Sequence, residues 1–203
     1  MKKIILFSVT LIFFVAQIYA QINLGIKGGL NLATAKYAGS KDNKVRTGFN
    51  AGLFTQITIS KEFRVRPELL YSIKGFRFPA TPFSGKGTLS LNYISIPLLI
   101  AYLPGSKFSI LSGPEFGFLT KANSKFDGSS HDVSSYYRKF DVAIDLGIAC
   151  LISNGFGAEV RGSYGFNDLA DATQTDSQGN QIANYRVGGN RVLQFGIFYS
   201  FPL

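Results

Sequence analysis

The sequence predicts an all-β fold: an eight-stranded antiparallel transmembrane up-and-down β-barrel with short periplasmic turns and long extracellular loops. Three observations carry this. The first twenty residues read as an export signal, and no later stretch is apolar for long enough to form a membrane helix. Eight segments alternate bulky apolar residues with small or polar ones at the two-residue period of a strand. The connections between them alternate short and long, as they do when turns gather at one rim of a barrel and loops at the other.

Residues 1–20 read MKKIILFSVTLIFFVAQIYA. Lys2 and Lys3 precede an apolar core interrupted only by Ser8 and Thr10, and Ala20 stands before Gln21. Cleavage is expected after Ala20, which leaves residues 21–203 as one barrel domain. Two lysines leave with the signal, so the formal charge falls from +9 to +7. The longest later apolar run, residues 94–103, contains Pro97 and has 10 residues where a helical span needs about 20.

The strands follow in order. Residues 21–32 place Ile22, Leu24, Ile26, Leu30 and Leu32 on one parity, with Asn23, Lys27 and Asn31 on the other. Residues 46–59 and 63–76 repeat the pattern, joined by Ser60-Lys61-Glu62. Here Phe49, Ala51 and Leu53 oppose Asn50 and Gly52; Val65, Leu69 and Tyr71 oppose Arg64, Arg66, Glu68, Ser72 and Lys74. Residues 88–103 are apolar on both parities at their centre, and a bulge near Asn92 would reconcile the two halves. Pro104 to Lys107 is a turn signal. Residues 108–120 set Gly113, Glu115 and Gly117 against Pro114, Phe116 and Phe118. The clearest strand, residues 138–152, sets Phe140, Val142, Ile144, Leu146 and Ile148 against Asp141, Ala143, Asp145 and Gly147, with Leu151 as a misfit. Asn154-Gly155 then signals a hairpin. Residues 156–166 and 190–201 complete the set, with Phe198 another exception. Polar loops are expected over residues 33–45, 77–87, 121–137 and 167–189, the last solvated and mobile.

A soluble barrel would bury the apolar parity and wet the polar one. Here the polar parity is rich in glycine and too small for a solvent face, while the apolar parity is bulky and aromatic. That suits a lipid-facing wall with aromatic girdles. The polar parity then lines the lumen. Counting from the periplasmic rim puts Lys27, Glu68, Glu115, Asp145 and Arg161 at middle depth. Arg64, Arg66 and Glu159 come nearer that rim, and Lys74 and Asp141 nearer the outside. Both signs share each level, so a paired charge network with trapped water is expected to plug the lumen.

Several stretches resemble a known family. GIKGGLNLA (residues 25–33), YISIPLLIAY (93–102), GPEFGF (113–118) and FDVAIDLGIAC (140–150) are similar to the PorT-family outer-membrane β-barrel proteins of Bacteroidetes. The resemblance covers almost the whole mature chain and implies small barrels like OmpA and OmpX in architecture. It also implies an inward glutamate where this chain has Ser95. The namesake's link to secretion and gliding belongs to particular members of the family.

The function classes sort accordingly. Cys150 is the single cysteine; it permits no intramolecular disulfide, and its parity makes it a small wall hydrophobe. Lys and Arg are scattered with no basic helix, which argues against nucleic acid. The positive balance instead suits lumen pairing and contact with outer-membrane lipid and lipopolysaccharide phosphates. His131, the one histidine, stands among serines in a loop, without the rigid frame that nucleophilic catalysis needs. Asp127, Asp132, Asp168, Asp171 and Asp176 lack EF-hand spacing. The expectation is a non-enzymatic, monomeric envelope barrel without cofactor or metal, located in the outer membrane. Its role would be structural or interactive, with envelope or secretion-machinery proteins as candidate partners. A narrow passive channel and a lipid-modifying enzyme are the alternatives.

Overall fold

The computed structural model describes residues 22–37, 43–78, 87–126, 128–175 and 181–201. The expected signal peptide lies outside them. The strands are β1 (Ile22–Tyr37), β2 (Lys44–Thr58), β3 (Phe63–Phe78), β4 (Gly87–Tyr102), β5 (Phe108–Phe126), β6 (Ser129–Asp132), β7 (Phe140–Ser153), β8 (Phe156–Gly165), β9 (Ala170–Thr175) and β10 (Gln181–Ser200). Neighbours pair antiparallel in the order β1-β2-β3-β4-β5-β7-β8-β10. Pairing of β1 with β10, from Gly25↔Ser200 to Tyr37↔Val187, closes the circle. These eight strands form the barrel that the sequence predicts. The remaining two, β6 on β5 and β9 on β10, extend the sheet at the long-loop rim.

Closure gives every interior strand two partners, so backbone polar groups are satisfied within the wall. The outer face is apolar: Leu30 is 56% exposed and Leu146 63%. The inner face carries the charges, with Arg161 and Asp145 at 0%. Aromatic side chains pair on the outside towards both rims. Phe63 lies 5.2 Å from Tyr102 at the short-turn end, and Phe118 lies 5.3 Å from Phe140 towards the long-loop end. Such belts mark the two membrane interfaces.

The tight connections follow local chemistry. Ser60 Oγ accepts the backbone N–H groups of Glu62 and Phe63, at 3.3 and 3.1 Å, and shapes the β2–β3 turn. Asn154 (φ 23°) and Gly155 (φ 85°) both take positive φ, the conformation a two-residue hairpin needs to match strand twist.

Three expectations change. β4 keeps one parity along its whole length, with Leu89, Leu91, Tyr93, Ser95, Leu99 and Ala101 all inward. The register does shift at Asn92, but the extra residue is Thr120 on β5: Asn92 pairs with Lys121 and Tyr93 with Leu119. The expected loop at 121–137 is instead a continuation of β5 to Phe126, followed by β6 and a 3-10 turn over Ser134–Tyr136. The expected mobile loop at 167–189 holds the β9–β10 hairpin, and Leu169, Ala170 and Val187 within it are buried. In the last two cases a polar stretch pairs with the extended end of a barrel strand, a contact that period and composition do not display.

Candidate functional site

The lumen is built in three layers. Nearest the short turns, Phe54, Leu99, Ala101, Leu111, Ala149 and Phe198 pack together. The Phe54 and Phe198 rings meet edge to face at 5.9 Å. Gly25 and Gly157 make room for them, since a Cβ at either would run into the Phe54 or Phe198 ring. Nearest the long loops, Phe76, Leu89, Leu91, Tyr93, Leu119 and Ala122 pack with Leu169, Ala170 and Val187.

Charge fills the space between. Arg161 (β8) grips Glu68 (β3) with both terminal nitrogens, at 2.8 and 3.0 Å. The same guanidinium reaches Glu159 at 2.9 Å and Asp145 at 3.3 Å. Arg66 lies 2.8 Å from Glu159 and 2.9 Å from Glu68. Lys27 joins both glutamates, at 3.2 Å from Glu68 and in close contact with Glu159. A second group stands beside it: the Lys74 ammonium donates to Glu115 Oε1, and so does the Ser95 hydroxyl at 3.1 Å. Asp141 accepts the Asn190 amide at 2.8 Å. Cation–π contacts bind charge to both apolar layers: the Arg66 guanidinium sits 4.2 Å over Phe54, and the Lys74 ammonium 5.1 Å over Tyr93.

Of the ten charged residues singled out in the sequence, the structure brings Lys27, Arg66, Glu68, Asp145, Glu159 and Arg161 into one cluster and Lys74 and Glu115 into another. Asp141 meets an amide. Arg64 stands apart at the short-turn mouth, where it donates to Gln56 at 3.1 Å and lines a cleft of about 510 Å³ together with Lys107 and Phe198. Sequence reasoning missed the buried amide relay of Asn50, Asn31 and Ser72, with links of 2.7 and 3.0 Å. It also missed both apolar layers. Their signal was present as exceptions: Phe54, Phe76 and Phe198 break the alternation because they are apolar residues on the lumen parity. Ser95 stands inward and fully buried, so the hydroxyl occupies the place where the resemblance implied a glutamate.

The remaining candidates lie elsewhere. His131 is exposed in β6, opposite Ser124. Asp132, beside it, accepts the Ser134 N–H at 2.9 Å. Its carboxyl is held below the usual range, first by the hydrogen bonds from the Ser134 hydroxyl and N–H, with Lys121 and Lys139 adding to the effect. Asp168 has a partner. Asp127 and Asp176 fall outside the described residues, as does the side chain of Asp171. Cys150 faces the wall side of β7.

Residues 15–171 match the outer membrane protein beta-barrel domain. The chain belongs to that family. It is an outer-membrane protein, and among the described residues no helix is long and apolar enough to cross a membrane. Solved structures agree on the fold. Ail, the attachment invasion locus protein of Yersinia pestis, is 18% identical with a TM-score of 0.53, covering 89% of this chain and 99% of Ail. Neisserial surface protein A is 13% identical with a TM-score of 0.56, covering 88% of this chain and 97% of its own. OprG of Pseudomonas aeruginosa is 15% identical with a TM-score of 0.50, covering 89% and 96%. No curated protein matches the chain.

Proposed function

We propose that this outer-membrane barrel is a sealed, non-enzymatic scaffold of the cell envelope that acts through its rims and wall rather than its lumen. One observation carries the reading: a buried apolar cluster towards each rim brackets a layer of paired charges inside the barrel. An ion entering from either end would have to cross an apolar layer and then displace charges already matched to each other. An eight-stranded barrel is narrow enough for its own side chains to fill it. The resemblance to PorT-type barrels supports a role beside other envelope or secretion proteins. The long-loop rim, with exposed Lys44, Lys121, Lys125 and Tyr136, is the surface that would meet them.

Planar-bilayer recording tests this. The refolded barrel should give no steady conductance steps at neutral pH. Steady open steps from the unmodified chain would replace the scaffold with a passive channel. Chemical crosslinking in intact outer membranes, with and without residues 128–136, then asks whether the long-loop rim carries the partner contacts.

A further inference from the structure

The register shift on β5 does more than join two halves of a strand. Below it, Leu111, Glu115 and Leu119 point into the lumen on odd numbers. Had that parity continued, Lys121 would have entered the lumen. Thr120 is the extra residue that prevents it. Its hydroxyl donates to the Asn92 carbonyl at 3.0 Å and holds the bulge in place. Above it Ala122 and Ser124 turn inward, while Thr120 and Lys121 are both exposed. A bulge re-aims a side chain in this way. Here it moves one lysine from lumen to rim and lets an alanine complete the upper apolar layer.

The lysine emerges at a particular height. Phe118 and Phe140 are register partners on β5 and β7 and form part of the outer aromatic belt. Lys139 directly precedes Phe140, and its carbonyl accepts the Leu119 N–H at 2.7 Å. Lys121, in the upper part of β5, and Lys139, just before β7 begins at Phe140, therefore both stand above the belt at the long-loop rim, and both are exposed. The Lys139 ammonium donates to the Ser134 carbonyl at 3.0 Å, which leaves two of its three protons for another acceptor. Asp132 is the carboxylate beside the pair, and it is engaged by Ser134. The local balance of these three groups is +1.

We propose that Lys121 and Lys139 form a clamp for a phosphate of the outer-leaflet lipid, with the lipid's acyl chains lying along the Phe116, Phe118 and Phe140 side chains below. Charge complementarity selects an anionic headgroup, the aromatic belt sets its depth, and the Thr120 bulge supplies the second cation. The clamp rests on the outer-membrane placement and is independent of whether the lumen conducts.

The test uses the full barrel refolded in neutral detergent, with bisphosphorylated lipid A, monophosphorylated lipid A or a phosphate-free glycolipid added. Folded and unfolded forms are separated by gel mobility across a temperature series. Bisphosphorylated lipid A should raise the unfolding midpoint, the monophosphorylated form should raise it less, and the phosphate-free lipid should leave it unchanged. Lys121→Gln with Lys139→Gln should raise the lipid concentration needed for half the effect by about five-fold per lysine. Lys121→Arg should keep the effect, and Lys61→Gln at the short-turn rim should not alter it. Equal stabilisation by all three lipids, or an unchanged midpoint concentration in the double variant, would overturn the clamp. The double variant's own midpoint without lipid checks that it folds.

Discussion

The two apolar layers of the lumen do the same job by different means. The layer near the short turns is made only by barrel strands: β2, β4, β5, β7 and β10 each contribute, and its two rings meet over β1, the strand between β2 and β10. The layer near the long loops takes part of its mass from outside the membrane-crossing strands. Leu169 and Ala170 come from the segment after β8, and Val187 from the upper part of β10. Arg138 N–H donates to the Leu169 carbonyl at 2.8 Å, and Leu169 N–H to Val187 at 2.6 Å. The lower seal forms with the barrel. The upper layer also requires Leu169 and Ala170, beyond β8, to pack against the barrel strands. Local opening free energies fall towards loop-borne structure, so the two seals should differ in how easily they open.

Both seals rest on the ionic layer, so the largest effect should come from removing its hub. Arg161→Ala leaves Glu68, Asp145 and Glu159 short of a buried cation and should cost about 3–5 kcal/mol, read by urea unfolding in detergent. A loss under about 1 kcal/mol would show that water, not the network, balances these carboxylates. Phe198→Ala, in the lower seal, should cost about 3 kcal/mol, because the barrel wall cannot collapse into the space left by the ring. Leu169→Ala, in the upper seal, should cost about 2 kcal/mol, the lower end of the range for a buried leucine. If the upper change proved the more costly, the ranking of the seals would be reversed. Hydrogen exchange sharpens the comparison: amides of residues 169–175 should exchange faster in Leu169→Ala while those of β7 stay protected. Smallest of the set, Gly155→Ala should cost about 1–2 kcal/mol, since Gly155 holds φ at 85° and an added Cβ would face the Ser200 carbonyl. That change touches neither seal, so conductance should stay closed.

The sequence by itself determined the wall. Strand period, turn chemistry and the alternation of short and long connections are local properties, and together they specify barrel-strand number, solvent and the facing of every barrel strand except β4. Leu146 and Asp145 could be assigned to lipid and lumen from their neighbours in sequence alone. It also put nine of the ten charges it singled out on the buried inner face, Arg64 at the short-turn mouth being the exception. Tertiary structure decided who meets whom. Arg161 bonds Glu68 across the barrel, 93 residues away, a contact set by strand tilt and closure that no local pattern encodes. It decided the fate of the misfits as well: Phe54 and Phe198 break their strands' alternation, and only the closed circle sets the two rings face to edge as a seal. Thr120 reads as the end of a strand and Lys121 as the start of a loop until the pairing of Lys121 with Asn92 shows Thr120 to be a bulge within one longer strand. In each case burial and charge pairing act through space, and a one-residue shift in register is enough to move a side chain from lumen to lipid.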